Sequence, residues 1–429
     1  MPHRTALTLA LAALAAPAHA EPAIDYAVGV SLEHSDNINY SSTDPVSEDV
    51  LIPRLDFRVD QEGAALSASA AGSFEYRDYL GGAFGNEFRA LLSGIANWHI
   101  SPDRLDWYFA DNASQQPINV LQSDAPSNQQ QTNVFTTGPT LRAKFSDALR
   151  GRLDVRYTNS YADTSKEFNS NRLSAVGSLL YRLDPADTLS ASAATARTRY
   201  VETVSEPFDY DRHDVYAAFQ RSTRVLALDL AAGYSWLDIR SGDGPSGSLL
   251  RGSLRWNLSP ATSLGVSAAH EYADASQDLV ATPDQLGHVG IGSGLGSTVL
   301  TPQVYREDRV GLDFSHVETT YRVGFSPFWR KLDYVGDPAS NQRTSGYYAD
   351  AQYYVRPTLW LAAYAGQERR RYETLARTDD DLRYGLSLNL QRTRHWLWSL
   401  LFEHQRRDSD VPGAGYSENS IMLTLTWKR

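Results

Sequence analysis

Arginines and carboxylates recur at every second position in several short stretches of this chain. Arg54, Asp56 and Arg58 form one set, and Arg152, Asp154 and Arg156 form another. Two-residue spacing puts all members of a set on one face of an extended strand. Facing rows of guanidinium and carboxylate suit a pathway for ions or sugars. The same rows can instead pair with one another and stiffen the wall that carries them. By the same parity Arg251, Arg255, Arg309, Asp313, Asp350 and Arg383 share this polar face, and Tyr108, Tyr216, Tyr354 and Tyr364 lie beside them.

No catalytic constellation is expected. There is no His-Glu-x-x-His zinc helix. Gly244-Pro245-Ser246-Gly247-Ser248 breaks the Gly-x-Ser-x-Gly elbow at its last position. Asp36-Asn37-Ile38-Asn39 and Asp379-Asp380-Asp381 offer oxygen ligands but lack the spacing of a dedicated calcium loop. His213 beside Asp214 and His404 beside Glu403 imitate acid–base pairs, yet neighbours on a strand point to opposite faces. Neither a metal nor another cofactor is called for.

The elements that hold these residues are strands. Ile421, Leu423, Leu425 and Trp427 alternate with Met422, Thr424 and Thr426. Leu149, Gly151, Leu153, Val155 and Tyr157 alternate with Arg150, Arg152, Asp154 and Arg156, and Leu226, Leu228, Leu230, Ala232, Tyr234 and Trp236 continue the theme. The segments run to roughly ten residues, the length a tilted strand needs to cross hydrocarbon. Many apolar faces end in Tyr or Trp, as interfacial girdles do, and the chain holds 24 Tyr and 9 Trp. Tight turns such as Glu62-Gly63, Ser146-Asp147 and Arg356-Pro357-Thr358 alternate with longer polar stretches such as Ser35 to Glu48, Gln115 to Gln131, Asn159 to Glu167, Ala273 to Pro302 and Glu373 to Asp379. Nine turns and ten loops join twenty strands. The fold class expected is all-β, a transmembrane antiparallel up-and-down β-barrel of about 20 strands, or 18 if one weak segment is a loop.

Residues 1–20 read as a signal peptide: Arg4 precedes the apolar stretch Ala6 to Pro17, and Ala18-His19-Ala20 is a small-x-small cleavage site. Residues 21–429 then form the barrel, 429 − 20 = 409 residues without a cysteine. The expected place is the cell outer membrane of a Gram-negative cell, with the barrel-assembly machinery, membrane lipid and lipopolysaccharide as partners. Removing Arg4 leaves 39 basic against 51 acidic residues, a net charge near −12, which argues against nucleic acid as a partner. Arg197, Arg199, Arg369 and Arg371 fall on the lipid-facing parity late in their strands, where guanidinium could meet lipopolysaccharide phosphate. The run from Gly287 to Gly296, with His288, Gly290, Gly292 and Gly294, is apolar and glycine-rich for a loop and is expected to fold inward as a constriction or plug.

The stretch Glu33-His34-Ser35-Asp36-Asn37-Ile38-Asn39, then Ser42-Thr43-Asp44-Pro45, then Val50-Leu51-Ile52-Pro53 resembles the start of the outer-membrane β-barrel porins found with exopolysaccharide biosynthesis operons, the EpsL-like and β-barrel porin 2 group. The resemblance implies a porin-like channel or accessory in exopolysaccharide export, working with polysaccharide export components. It supplies no catalytic residues. The alternatives are a general diffusion porin for small polar solutes and a rim enzyme acting on lipids or peptides.

Overall fold

The computed structural model describes residues 22–242, 244–280 and 299–429. The signal-peptide segment and the run holding His288, Gly290, Gly292 and Gly294 lie outside them. Twenty strands follow one another: β1 (Ala23–Ser35), β2 (Glu48–Glu62), β3 (Leu66–Tyr79), β4 (Glu87–Ser101), β5 (Leu105–Pro117), β6 (Gln129–Lys144), β7 (Leu149–Ala162), β8 (Ser170–Arg182), β9 (Asp187–Tyr200) and β10 (Tyr210–Ser222). The second half comprises β11 (Leu226–Ile239), β12 (Ser246–Asn257), β13 (Thr262–Asp274), β14 (Val304–Val317), β15 (Tyr321–Tyr334), β16 (Gln342–Arg356), β17 (Leu359–Tyr372), β18 (Arg377–Gln391), β19 (Trp396–Ser409) and β20 (Tyr416–Lys428). Each strand pairs antiparallel with its chain neighbours, and β1 pairs β20 from Ala27↔Lys428 to Ser35↔Ser420, closing the sheet. The fold class expected from the alternation is the one found. Closure gives every ladder a partner on both sides, which an open sheet in lipid lacks.

The sheet is inside out relative to a soluble protein. Leu32, Leu173, Leu250, Leu386, Phe402 and Leu423 lie 40–56% exposed on its outer face. Charged residues of the opposite parity, such as Arg212, Glu307, Arg370 and Glu418, are buried within. Trp98, Trp256, Trp396, Tyr181 and Tyr321 ring the outer face near the turn end, and Tyr76, Tyr157, Tyr234 and Trp236 ring it near the loop end. Two aromatic girdles bounding an aliphatic belt are what a bilayer selects. Among the described residues no helix is long and apolar enough to cross a membrane.

All nine expected turns are found, two to four residues long, at the end that also holds Ala23 of β1 and Lys428 of β20. The loops lie at the other end. The strands, however, run 12 to 16 residues, longer than the expected ten or so. Gln115, Gln131, Asn159 and Asp379 belong to strands although they sit in stretches expected to be loops. The ladder continues beyond the apolar belt, where side chains on both faces are free to be polar. In β6, Gly138 and Pro139 drop out of the pairing with β7, between Thr137↔Tyr157 and Thr140↔Asp154. Pro139 has no N–H to give the ladder. Gly138 takes φ +152, and a Cβ there would lie 2.1 Å from the carbonyl oxygen of Val155. Arg156 compensates by donating to the Pro139 carbonyl at 2.7 Å and to the Gly138 carbonyl at 3.3 Å.

Candidate functional site

The inner wall carries the polar rows that the two-residue spacing places there. Arg54 pairs with Asp56 at 2.6 Å and with Glu75 at 2.8 Å, and Arg58 pairs with Asp60 at 2.6 Å. On β7, Asp154 receives Arg152 at 2.7 Å and Arg156 at 2.9 Å, and the Arg156 guanidinium lies 4.7 Å above the Tyr108 ring. Arg251 donates to Glu271 at 2.9 Å, Arg383 pairs with Glu403 at 2.7 Å, and Arg309 approaches Glu307 no closer than 3.8 Å. Asp313 accepts from Ser326 at 3.0 Å. Arg255 and Asp350 have no ion pair among the described residues. The inward residues therefore divide into wall-stiffening pairs and a smaller set left to the lumen water.

At the loop end, two connections fold into the mouth. The β5–β6 loop (118–128) reaches β19: Arg407 donates to the Gln122 carbonyl at 2.7 Å and lies 3.8 Å from Asp124, while its Nε pairs with Asp381 on β18 at 2.6 Å. The β13–β14 connection begins with one helical turn, α1 (Ala275–Asp278), capped by Asp274, which accepts from the Gln277 N–H at 3.3 Å. Asp274 also binds Arg172 of β8 and Tyr210 of β10. Asp278 turns the other way, accepting from Tyr305 of β14 at 2.6 Å and pairing with Arg330 of β15 at 2.5 Å. Ala275, Leu279 and Leu300 of this connection pack with Val134, Ala162 and Phe168 into one buried apolar cluster. The described flanks of the loop thus lie inside the mouth, although the glycine-rich run expected to form the constriction is outside the described residues.

The β1–β2 loop explains the motif. Ser35 donates to Glu418 at 2.7 Å. Asp36 accepts the Asn419 backbone N–H at 2.8 Å and its side-chain amide at 2.7 Å. Asn37 donates to the carbonyls of Ser41 and Ser417, both at 2.8 Å. Ile38 is buried with Val50, Ile52 and Tyr79. Each residue of Ser-Asp-Asn-Ile therefore fastens this loop to the wall or across the closing seam. The loop also carries Tyr40, which at φ 48 sets its ring 4.9 Å from that of Tyr416. Burial, reinforced by the negative charge of Glu418, pushes the Tyr40 hydroxyl well above the ordinary phenol range and keeps it a neutral donor.

A row of incompletely bonded polar groups lies on the inner wall beside this mouth. Gln342 faces Tyr372, and Tyr372 faces Arg377, across β16, β17 and β18; Tyr334 of β15 stands one step further along. Each of the four is at least nine-tenths buried. Among the described residues Tyr334 Oη, Gln342 Oε1, Tyr372 Oη and one Arg377 Nη make no hydrogen bond of ordinary geometry, although Tyr334 lies beside Gln342, Tyr372 lies beside Arg370, and the Arg377 Nε donates to Asp379 at 2.9 Å. Nothing in the strand parity separates these four from residues whose polar atoms are all bonded within the chain, so this row was not legible before folding.

The remaining candidates separate. His213 faces out to Thr195 at 3.1 Å while Asp214 faces in to Arg212 at 2.9 Å; His404 faces out to Asn419 at 2.8 Å while Glu403 faces in to Arg383. Asp379 binds Arg377, Asp380 accepts from Gln367 and Asp381 pairs with Arg407, so the three carboxylates do not converge. Among the described residues no group of His, Cys, Asp or Glu is placed to hold a metal ion. On the outer face Arg197 and Arg199 both pair with Asp211, at 3.1 and 2.8 Å, whereas Arg369 and Arg371 are exposed and pair with no carboxylate among the described residues.

No family model matches this chain, and no curated protein matches it. Among solved structures it is similar to the ferric enterobactin receptor PfeA of Pseudomonas aeruginosa (9% identity, 94% of this chain and 80% of that one, TM-score 0.46). It is also similar to the siderophore receptor PirA of Pseudomonas aeruginosa (10% identity, 94% and 80%, TM-score 0.44). The FrpB iron transporter of Neisseria meningitidis follows at 9% identity, 94% and 81% coverage and TM-score 0.43. The likeness is one of barrel architecture.

Proposed function

We propose that this barrel is a porin-like channel or accessory of the outer membrane in exopolysaccharide export. The observation that carries the proposal is the row Tyr334, Gln342, Tyr372 and Arg377, buried on the inner wall, in which two hydroxyls, one amide carbonyl oxygen and one guanidinium nitrogen make no hydrogen bond of ordinary geometry among the described residues. Burying polar groups unpaired costs about 1–3 kcal/mol each. A polyhydroxylated chain supplies donors and acceptors together, and the tyrosine rings offer faces to sugar rings. The resemblance of the Ser35-Asp36-Asn37-Ile38 stretch to polysaccharide-associated porins supports the same reading. The partners that fit are polysaccharide export components and, during insertion, the barrel-assembly machinery.

The second reading, a general diffusion porin, is favoured by Arg255 and Asp350, inward charges without an ion pair among the described residues. Planar-bilayer recording separates the two. Under the first reading, acidic or neutral polysaccharide fragments block the open channel, and Tyr334→Phe with Tyr372→Phe weakens the block while leaving salt conductance unchanged. Normal salt conductance with no block by any fragment favours the diffusion porin.

A further inference from the structure

The outer face at the loop end holds a cationic row that the described residues neutralise only in part. Lys331 on β15 faces Arg343 on β16, and Arg343 faces Arg371 on β17. Directly opposed like charges destabilise a strand pair unless an anion joins them. Arg369 lies one outward position below Arg371, opposite Ser345. The carboxylates nearby are taken up by Lys331 and Arg343 or by residues outside the row, and none reaches Arg369 or Arg371. Asp333 serves both Lys331 at 2.8 Å and Arg306 at 3.1 Å, Glu373 reaches Arg343 at 3.3 Å, and Asp308 is held by His270. Asp380 faces Arg369 in register, yet it accepts from Gln367 at 2.8 Å and makes no ion pair. Among the described residues, Arg369 and Arg371 have neither an ion pair nor a side-chain hydrogen bond. On the far side of the barrel the comparable Arg197 and Arg199 are both paired with Asp211, and Asp209 lies 3.8 Å from Arg199.

Below the row, past the outward pair Tyr347 and Gln367, with the Tyr347 ring drawn aside to 6.0 Å from that of Phe325, the outer face is a trough. Ala349 faces Ala365 and Ala351 faces Ala363, giving four small residues on β16 and β17. The bulky Phe325 of β15 flanks them on one side, and Tyr384 and Leu386 of β18 on the other. The last large apolar outward residue of β15, Trp329, faces Ser345 just under the cations. Charge above and a smooth apolar slot below match an amphiphile with anionic head and straight tails. Guanidinium favours phosphate through paired charge-assisted hydrogen bonds.

We propose that Arg343, Arg369 and Arg371, with the alanine trough beneath them, bind a phosphorylated multi-acyl glycolipid of the outer leaflet, its phosphates on the arginines and an acyl chain in the trough. The site rests on the barrel lying in an outer membrane and is independent of what passes through the lumen.

The test uses the full barrel in detergent micelles, with native mass spectrometry reading bound lipid. Bisphosphorylated lipid A binds the wild type, and Arg343→Gln/Arg369→Gln/Arg371→Gln weakens binding about tenfold or more, the loss of one or more charge-assisted contacts. Arg197→Gln/Arg199→Gln leaves it unchanged. Heat-modifiable migration on SDS gels confirms that both variants are folded. Ala351→Leu/Ala363→Leu, which fills the trough and keeps the arginines, also weakens binding. The proposal is overturned if the triple variant binds as the wild type does, if dephosphorylated lipid A binds equally well, or if inorganic phosphate alone displaces the lipid at equal concentration. Block of the channel by polysaccharide stays intact in the triple variant, so failure of either reading leaves the other standing.

Discussion

Asp36 holds Asn419 across 383 positions of sequence, accepting both its backbone N–H and its side-chain amide. The two residues lie on β1's exit and on β20, so this contact crosses the one junction that no chain-neighbour hairpin supplies.

The seam is therefore sensitive to the loop that begins there. The Asn37 side chain is buried and makes three hydrogen bonds, to Ser41 twice and to Ser417. Asn37→Ala is expected to destabilise the barrel by about 1–3 kcal/mol, the cost of buried groups left unpaired. The temperature at which the folded band disappears on SDS gels should fall, and an unchanged temperature would show that the loop contributes nothing to closure.

Arg407 ties the β5–β6 loop to the wall while also pairing with Asp381. Arg407→Lys keeps the charge for Asp381, but a single ammonium cannot also reach the Gln122 carbonyl. The expected result is a larger single-channel conductance and faster proteolysis within 118–128, with the barrel otherwise intact. Equal conductance in the two proteins would mean that this loop does not narrow the path.

Gly138 sits where a side chain has no room. Gly138→Ala places a methyl against the Val155 carbonyl in a backbone conformation that L residues rarely adopt, at a cost of about 1–3 kcal/mol. Gly82, also at positive φ (+76), has open space around its missing Cβ, so Gly82→Ala isolates the backbone part of that cost. The denaturant midpoint of Gly138→Ala should fall below that of Gly82→Ala.

Asp184 in the β8–β9 turn accepts the N–H groups of Ala186 at 2.7 Å and Asp187 at 2.8 Å, which holds its carboxyl below the ordinary carboxylate range. A lowered value in the folded state means that the ionised form favours the turn. That contribution is present above the unfolded value of about 4 and is lost as pH falls through the lower folded value. Proton titration followed by carbon NMR of labelled Asp should place the Asp184 midpoint below those of unstructured peptides. An Asp184 midpoint equal to theirs would contradict the turn geometry.

Strand count, parity and the turn positions were legible because hydrocarbon outside and water inside impose a strict period of two. Leu149 to Tyr157 and their arginine neighbours could face only one way each. The strand ends were not legible: above the belt both faces are polar, so Gln115 or Asp379 reads as loop although its backbone is paired. Pairing partners were harder still. Parity put Arg197 and Arg369 on the same outer face, and only the register showed that Asp211 pairs with Arg197 and Arg199 while no carboxylate among the described residues pairs with Arg369 or Arg371. The incompletely bonded row at Tyr334, Gln342, Tyr372 and Arg377 depends on three consecutive registers at once, which no single stretch encodes.

The short turn from Asp274 to Asp278 grips β8 and β10 at one end and β14 and β15 at the other. A wide hollow cylinder is soft toward flattening, because an ellipse and a circle of equal perimeter cost the sheet nearly the same twist. This brace removes that freedom at the mouth. Squeezing the surrounding bilayer would then leave the bore's cross-section round, so its width is set by the chain and not by the tension of the sheet of lipid around it.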